Sequence, residues 1–301
     1  MTYVATNVVD LAITRFAAVM PPQTDQFEIV TVASGARSLR SREHGETFHP
    51  VVGPMTEARS LHVEQQRLVQ RAEAVNGPFI IWDVGLGAAA NAVAALEAFR
   101  TFRGSARVEL HSFDETIAPL AFALKNAETL EYLVPHQRAV ERLLDKGEAA
   151  DSGVCWKLHL GDFRQAMTDA PAPHAILYDP YSPKANPELW TLDHFSRLHA
   201  CLDPARPCLL SNYTRSTAVR VTLLVAGFFV GHGHATGEKD QTTIAANRLE
   251  IIEAPLDIAW LARVRRSTQA TPLRGAAGGP IGETDWQALV NHPQFSALPH
   301  P

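Results

Sequence analysis

Phe79-Ile80-Ile81-Trp82-Asp83-Val84-Gly85-Leu86-Gly87-Ala88-Ala89-Ala90 decides the fold. An apolar run this short, without alternation of polar residues, is the pattern of a parallel strand buried on both faces. It ends in an acid and two glycines spaced by one residue, and helix formers occupy residues 88–102. That is one strand–turn–helix unit, and it repeats. Residues 107–113, 154–160, 175–178 and 208–213 read as further strands, with helices expected over 117–133, 163–168 and 187–200. The alternation predicts an α/β protein with a doubly wound, largely parallel sheet, whose ligands sit at the carboxyl ends of the strands. A helix over 216–226, then strands at 228–232 and 242–247, supplies a terminal pair in which antiparallel pairing is open.

Outward from this core the chain is less regular. Residues 1–25 read as an irregular or short helical lead-in ending at Pro21-Pro22. Phe27–Val32 and Glu46–His49 are β-rich and separated by Gly35 and Gly45, which predicts a small antiparallel hairpin, and residues 55–74, free of Gly and Pro, predict a helix. Beyond Pro255 the chain turns rich in Pro and Gly, with Gly275-Ala276-Ala277-Gly278-Gly279-Pro280, and a partly ordered tail is expected. The division is therefore a β-rich unit and linking helix at 1–74, the α/β domain at 75–255 and an extension at 256–301.

The 301 residues are 46% hydrophobic and 20% charged, which is ordinary for a globular chain and excludes disorder as the default. With 27 basic against 32 acidic residues the formal charge is −5, so no global positive field draws nucleic acid, and any such partner must meet a local patch. Cys155, Cys201 and Cys208 form an odd set without a CxxC, which argues against a disulfide framework and a zinc ribbon. His232 with His234, and Cys155 with His159, lack third and fourth ligands at recognisable spacing, so no metal is expected. Asp10 and Arg15 interrupt the apolar stretch at the N-terminus; neither a leader nor a membrane span is expected, and the cytoplasm is the expected compartment.

The chemistry is carried by the residues just past each strand. Asp83 precedes Gly85 and Gly87, which permit close ligand approach at a helix N-terminus. Asp114 ends the second strand, where an acid accepts hydrogen bonds from both ribose hydroxyls of a nucleoside. Asp162 comes after the third, in position for an adenine amino group, and Asp179 with Pro180 and Tyr181 after the fourth, at the rim where a substrate enters. One acid at a strand end usually caps a helix; four in succession point to a ligand. Gly85-x-Gly87-x-x-Ala90 also fits a dinucleotide fingerprint, but carboxylates repel a pyrophosphate. S-adenosylmethionine carries a sulfonium, an ammonium and no phosphate, so the acids suit it better, with Asp83 anchoring the ammonium directly or through water.

Asp83-Val84-Gly85-Leu86-Gly87 resembles the first motif of the Rossmann-like S-adenosylmethionine-dependent methyltransferases. Leu177-Tyr178-Asp179-Pro180-Tyr181-Ser182-Pro183-Lys184-Ala185-Asn186-Pro187-Glu188-Leu189-Trp190 is similar to a more specific segment, that of the methyltransferase domain of the tRNA 5-methylaminomethyl-2-thiouridine biosynthesis enzymes. His111-Ser112-Phe113-Asp114, Gly161-Asp162, the Glu57-Ala58-Arg59 stretch and the segment 231–243 with Lys239 resemble that family's remaining motifs. Ala88-Ala89 departs from the Thr-Gly that the family usually has in the glycine loop. About fifty residues lie beyond the core, so the resemblance implies a stand-alone methyltransferase with any FAD chemistry supplied by a separate enzyme acting upstream.

The resemblance implies transfer of a methyl group to the exocyclic amine of 5-aminomethyl-(2-thio)uridine at the tRNA wobble position. It implies Asp179 and Tyr181 as catalytic residues, the first holding the amine and the second packing on the base. Asp83, Gly85, Gly87, Asp114, Asp162, Asp179 and Glu57 are then expected at the cofactor, and Lys239, Pro180 and Asn186 at the substrate. Arg37, Arg40, Arg42, Arg59, Arg67 and Arg71, and a second group of Arg263, Arg265 and Arg266, are candidate tRNA contacts, although surface arginines more often only solvate a face. Trp82, Trp156 and Trp190 are expected to pack the core. The rival readings are a methyltransferase of another amine, an NAD-dependent oxidoreductase and a non-catalytic nucleoside-binding protein.

Overall fold

The computed structural model describes residues 26–237, 240–275 and 278–296. The lead-in at 1–25 and Lys239 lie outside them. Among the described residues, ten strands form two sheets. β1 (Phe27–Thr31) and β2 (Arg37–Ser41) make a small antiparallel pair. β3 (Pro78–Val84), β4 (Arg107–Asp114), β5 (Glu148–Asp151), β6 (Val154–Leu160), β7 (Ala175–Tyr178), β8 (Leu209–Asn212), β9 (Phe229–Gly233) and β10 (Thr242–Ala246) make the main sheet, in the order β5-β6-β4-β3-β7-β8-β10-β9. The run β6-β4-β3-β7-β8 is parallel, and the edges are closed by antiparallel β5 on one side and the β10-β9 pair on the other.

The apolar run is continuous because β3 serves two cores. Phe79 and Ile81 face one, with Leu96, Leu110 and Leu177. Ile80, Trp82 and Val84 face the other, with Ile176, Tyr178, Leu210 and Phe228. Alternate side chains of a strand point to opposite faces, so with helices on both sides neither set is left in water. Trp82, Trp156 and Trp190 are fully buried, as expected of core residues. The helix Ala90–Phe99 packs at the centre of the first face, and its alanines allow close approach.

Several local readings change. The partner of β1 is Arg37–Ser41, not Glu46–His49: Gly35, at φ +85°, closes a short turn in which Val32 N–H donates to Ala36 O, and Thr47 makes only an isolated bridge to Arg40. Residues 55–74 are not one helix. Pro54–Ala58 is α-helical, Arg59–Glu64 is a π-helical turn, Arg67 is left-handed at φ +48°, and Leu68–Glu73 resumes. Side chains of this segment bond to the sheet, His62 to Ser211 and Gln66 to Ser211 and Ile176 O, and that tertiary bonding overrides helical continuity. The helix expected over 117–133 breaks at Asn126, whose amide turns back to Phe122 O. β5 and the helix Gln137–Lys146 before it were not foreseen. Past Pro255, helices Ile258–Arg266 and Glu283–Val290 bury Trp260, Val264 and Leu289 in the second core. Among the described residues, no helix is long and apolar enough to cross a membrane.

Candidate active site

A cavity of about 750 Å³ opens at the carboxyl ends of β3, β4, β6 and β7, roofed by residues from the 38–50 segment. Its floor is the glycine loop. Gly85 is at φ +87°, and a Cβ there would stand 2.7 Å from Asp179 O and 2.9 Å from Pro180 Cα. Glycine is therefore required for conformation and for the approach of the rim segment. Gly87 N–H donates to Asp114 Oδ2 at 2.9 Å, and Thr116 N–H to Asp114 Oδ1 at 3.1 Å. Burial nevertheless pushes the Asp114 carboxyl up to about 6. Where the family pattern has glycine, Ala89 takes φ +64°, a left-handed conformation costing on the order of 1 kcal/mol.

Asp83 is fully buried behind this floor, outside the cavity wall. Its Oδ2 accepts from Ser112 Oγ at 2.7 Å, and the same Oγ accepts from Trp156 Nε1 at 2.9 Å. Its Oδ1 has no hydrogen-bond partner among the described residues. Burial raises its pKa to about 7; the Ser112 bond opposes the rise, and the charges of Asp179 and Asp114 add to it.

Asp179 stands on the rim, where Asn91 Nδ2 donates to its Oδ2 at 2.8 Å and His49 Nε2 approaches to 3.8 Å. Pro180, Tyr181 and Asn186 line the same cavity. The Tyr181 ring lies against His44 (centroids 4.3 Å apart) and edge-on to Phe48 (5.5 Å), so the rim is aromatic. Glu46 clamps this loop to the roof by accepting from Ser182 N–H at 3.2 Å and from Ser182 Oγ. Glu57 is buried in the wall and faces His49 Nδ1 at 3.6 Å.

The four strand-end acids thus do not share one wall. Asp114 and Asp179 line the cavity, and Asp83 lies behind it. Asp162 lies next door: it caps the helix Phe163–Ala166 and holds Arg164 through bonds of 2.6–3.0 Å, in a smaller recess, while Gly161 lines the main cavity. That ion pair keeps its carboxyl below the usual range. His49, Asn91, Glu46 and Tyr213, which lines the cavity and whose hydroxyl donates to Pro180 O at 3.2 Å, were missed. Asn91 had a signal, as a polar residue inside the Ala-rich stretch after the glycine loop; His49 had none. Of the arginine group, Arg40 and Arg42 lie near Glu28, Arg59 pairs with Glu97 and Arg67 with Glu253, while Arg71 is spent on backbone carbonyls of His174 and Pro207. In the second group Arg265 pairs with Glu283.

The family described as S-adenosyl-L-methionine-dependent methyltransferase matches residues 125–248. The match covers about two fifths of the chain. The site suits that cofactor: a cradle that a Cβ at Gly85 would fill, an orphaned carboxylate oxygen on Asp83, and acids to meet a cation. It does not suit a pyrophosphate, which would compete with Asp114 for the Gly87 amide. The chain is 27% identical over 239 residues to the tRNA 5-methylaminomethyl-2-thiouridine biosynthesis bifunctional protein MnmC of Ectopseudomonas mendocina (strain ymp), covering 74% of this chain and 35% of that protein. Its identity to the MnmC of Azoarcus sp. (strain BH72) is 29% over 221 residues, covering 67% and 33%. It therefore spans about a third of the length of these relatives. The crystal structure of MNMC2 from Aquifex aeolicus shares the fold, with a TM-score of 0.66 at 24% identity over 97% of this chain and 92% of that one.

Proposed function

We propose that the chain is an S-adenosyl-L-methionine-dependent methyltransferase that modifies the exocyclic primary amine of 5-aminomethyl-(2-thio)uridine at the tRNA wobble position. The observation that carries this reading is the acceptor rim, where Asp179, fixed by Asn91, stands beside the Tyr181–His44–Phe48 aromatic group on one cavity. A carboxylate accepts the hydrogens of an amine, and an aromatic face packs on a pyrimidine. The names of the MnmC relatives supply the substrate class.

When bound, S-adenosylmethionine supplies an electrophilic methyl group on a sulfonium. Gly85, Gly87 and Gly161 would give it backbone to lie against, Asp114 would receive the ribose hydroxyls with the lone pairs left by its two amide bonds, and Asp83 would provide negative charge from behind. Asp162 contributes through its place in the chain, because its carboxylate is taken by Arg164. Asp179 holds the amine in line, and Tyr181 packs on the base. Pro180 and Asn186 shape the entrance, and Lys239 is assigned to a tRNA phosphate. Residues 75–255 are the catalytic domain in this reading, the unit at 1–74 supplies the roof through its 38–50 segment, and 256–301 are an extension. The setting is cytoplasmic, and a separate FAD-dependent enzyme acts upstream.

Incubation with labelled S-adenosylmethionine and aminomethyl-bearing tRNA, with nucleoside analysis of the product, tests the proposal. Label in methylaminomethyluridine is the expected result; label in a different nucleoside, or in none, refutes it.

A further inference from the structure

His49 has a strained backbone and a shared side chain. Its φ of +49° lies in the left-handed region, uncommon for any residue but glycine and typical of over-determined positions. Its imidazole, in the cavity wall, is bracketed by two carboxylates: Nδ1 is 3.6 Å from Glu57 Oε2 and Nε2 is 3.8 Å from Asp179 Oδ2. The Nε2 contact is longer than a hydrogen bond, so the nitrogen is not committed to Asp179. With the ring proton on Nδ1, facing Glu57, Nε2 turns a lone pair to the place where an amine held by Asp179 would sit. A base oriented by a carboxylate behind it is the arrangement of a general base.

We infer that His49 takes the proton that the substrate ammonium must lose before methylation, with Glu57 as the positioning residue that orients its ring. This rests on the amine-acceptor reading above. The ammonium N–H bond breaks and its proton binds Nε2, turning the imidazole into an imidazolium. The lone pair left on nitrogen forms the bond to the methyl carbon as the carbon–sulfur bond breaks and its electron pair stays on sulfur. The product leaves as a secondary ammonium, and the imidazolium returns its proton to water.

Asp179 alone is ill-suited to this proton: an acceptor of ordinary pKa near 6.5 holds it about 10²–10³-fold better than a carboxylate near 4. The groups facing His49 are Glu57, Asp179, Asp83 and His62. Burial opposes charge on His49, but the neighbouring Glu57 carboxylate and the charges of Asp179 and Asp83 outweigh it and hold its pKa above 6.5. His62, pushed down to about 3 by burial, stays neutral. A cationic methyl donor in the cavity works the other way and favours the neutral, accepting imidazole.

The test is kcat against pH for the wild type, His49→Asn and Glu57→Gln, with aminomethyl tRNA as substrate. Asn tolerates the left-handed backbone, so His49→Asn removes the acceptor with little strain. Its kcat at pH 7 is expected to fall about 10²-fold, with the acidic limb displaced upward toward the amine's own pKa near 10 and activity recovering at high pH, while cofactor affinity stays within threefold. In Glu57→Gln the limb is expected to move to lower pH, because a charge that raises the His49 pKa is gone. Losses uniform across pH, with the limb in place in both variants, overturn the inference and leave the amine reading standing. A wild type that puts no label into the aminomethyl nucleoside overturns both.

Discussion

Replacing Asp83 by Asn separates what this buried acid does for the cofactor from what it costs the fold. The gap between its pKa of about 7 and the ordinary 3.8 corresponds to on the order of 4 kcal/mol. A carboxyl raised in the folded state contributes stability that is fully present below the unfolded value of 3.8 and lost as pH rises through about 7. Above pH 7 the full cost is expressed, and Asp83→Asn should raise the melting temperature of the free protein there, with no gain at pH 4. Cofactor binding should show the reverse. A cation in the cavity favours the ionised acid, so affinity falls as pH drops below the free-state pKa. If binding returns Asp83 to its ordinary range, the loss between pH 8 and pH 5 is about 10²-fold, with about another 10-fold from Asp114, which starts from about 6. Calorimetric titration of S-adenosylmethionine from pH 5 to 8 reads this directly. The variant should bind more weakly at pH 8 and keep only the shallow Asp114 dependence. Wild-type affinities at pH 5 and pH 8 within threefold of each other, or an equally steep Asp83→Asn profile, would refute the reasoning.

Three further substitutions probe other parts of the site. Asp179→Ala should lower kcat by about 10²-fold while the affinity for S-adenosylhomocysteine stays within a few-fold; unchanged turnover removes its positioning role. Gly85→Ala places a Cβ 2.7 Å from Asp179 O at φ +87°, and should cost more than the roughly 1–2 kcal/mol of the backbone conformation alone. A melting temperature and cofactor affinity equal to wild type would show that the loop and rim are not in the contact described. Arg71→Ala removes bonds to His174 O and Pro207 O and the cation over the Phe79 ring, and should lower stability by about 2–3 kcal/mol in denaturant titration without changing cofactor affinity. If tRNA affinity falls and stability does not, Arg71 belongs to the nucleic-acid surface after all.

The sheet was legible because its signal is local. Phe79–Val84 needs no knowledge of its neighbours to be read as a strand buried twice, and the acids at the strand ends are visible in the chain. What could not be read is direction. Asp114 ends β4 and Asp162 follows two residues after the end of the neighbouring β6, yet Asp114 faces the cavity and Asp162 is captured by Arg164 two residues on. The roof was hidden for a different reason. Glu46–His49 has strand-like composition, but its conformation answers to Ser182, 136 positions away, and to carboxylates on two other elements. Residues 55–74 failed in the same way: helix propensity favours continuity, and buried bonds from His62 and Gln66 to β7 and β8 outweigh it.

The serine between Asp83 and Trp156 links three adjacent strands through a single hydroxyl, which can donate only one proton. By accepting from the indole, Ser112 is steered to spend that proton on the carboxylate, so an aromatic ring on β6 supports the hydrogen bond that opposes the burial-driven rise of an acid on β3. Substitutions of Trp156, made for packing far from any ligand, would therefore register as altered recognition of the methyl donor, and sequence drift in the interior of this sheet can retune the enzyme without touching its mouth.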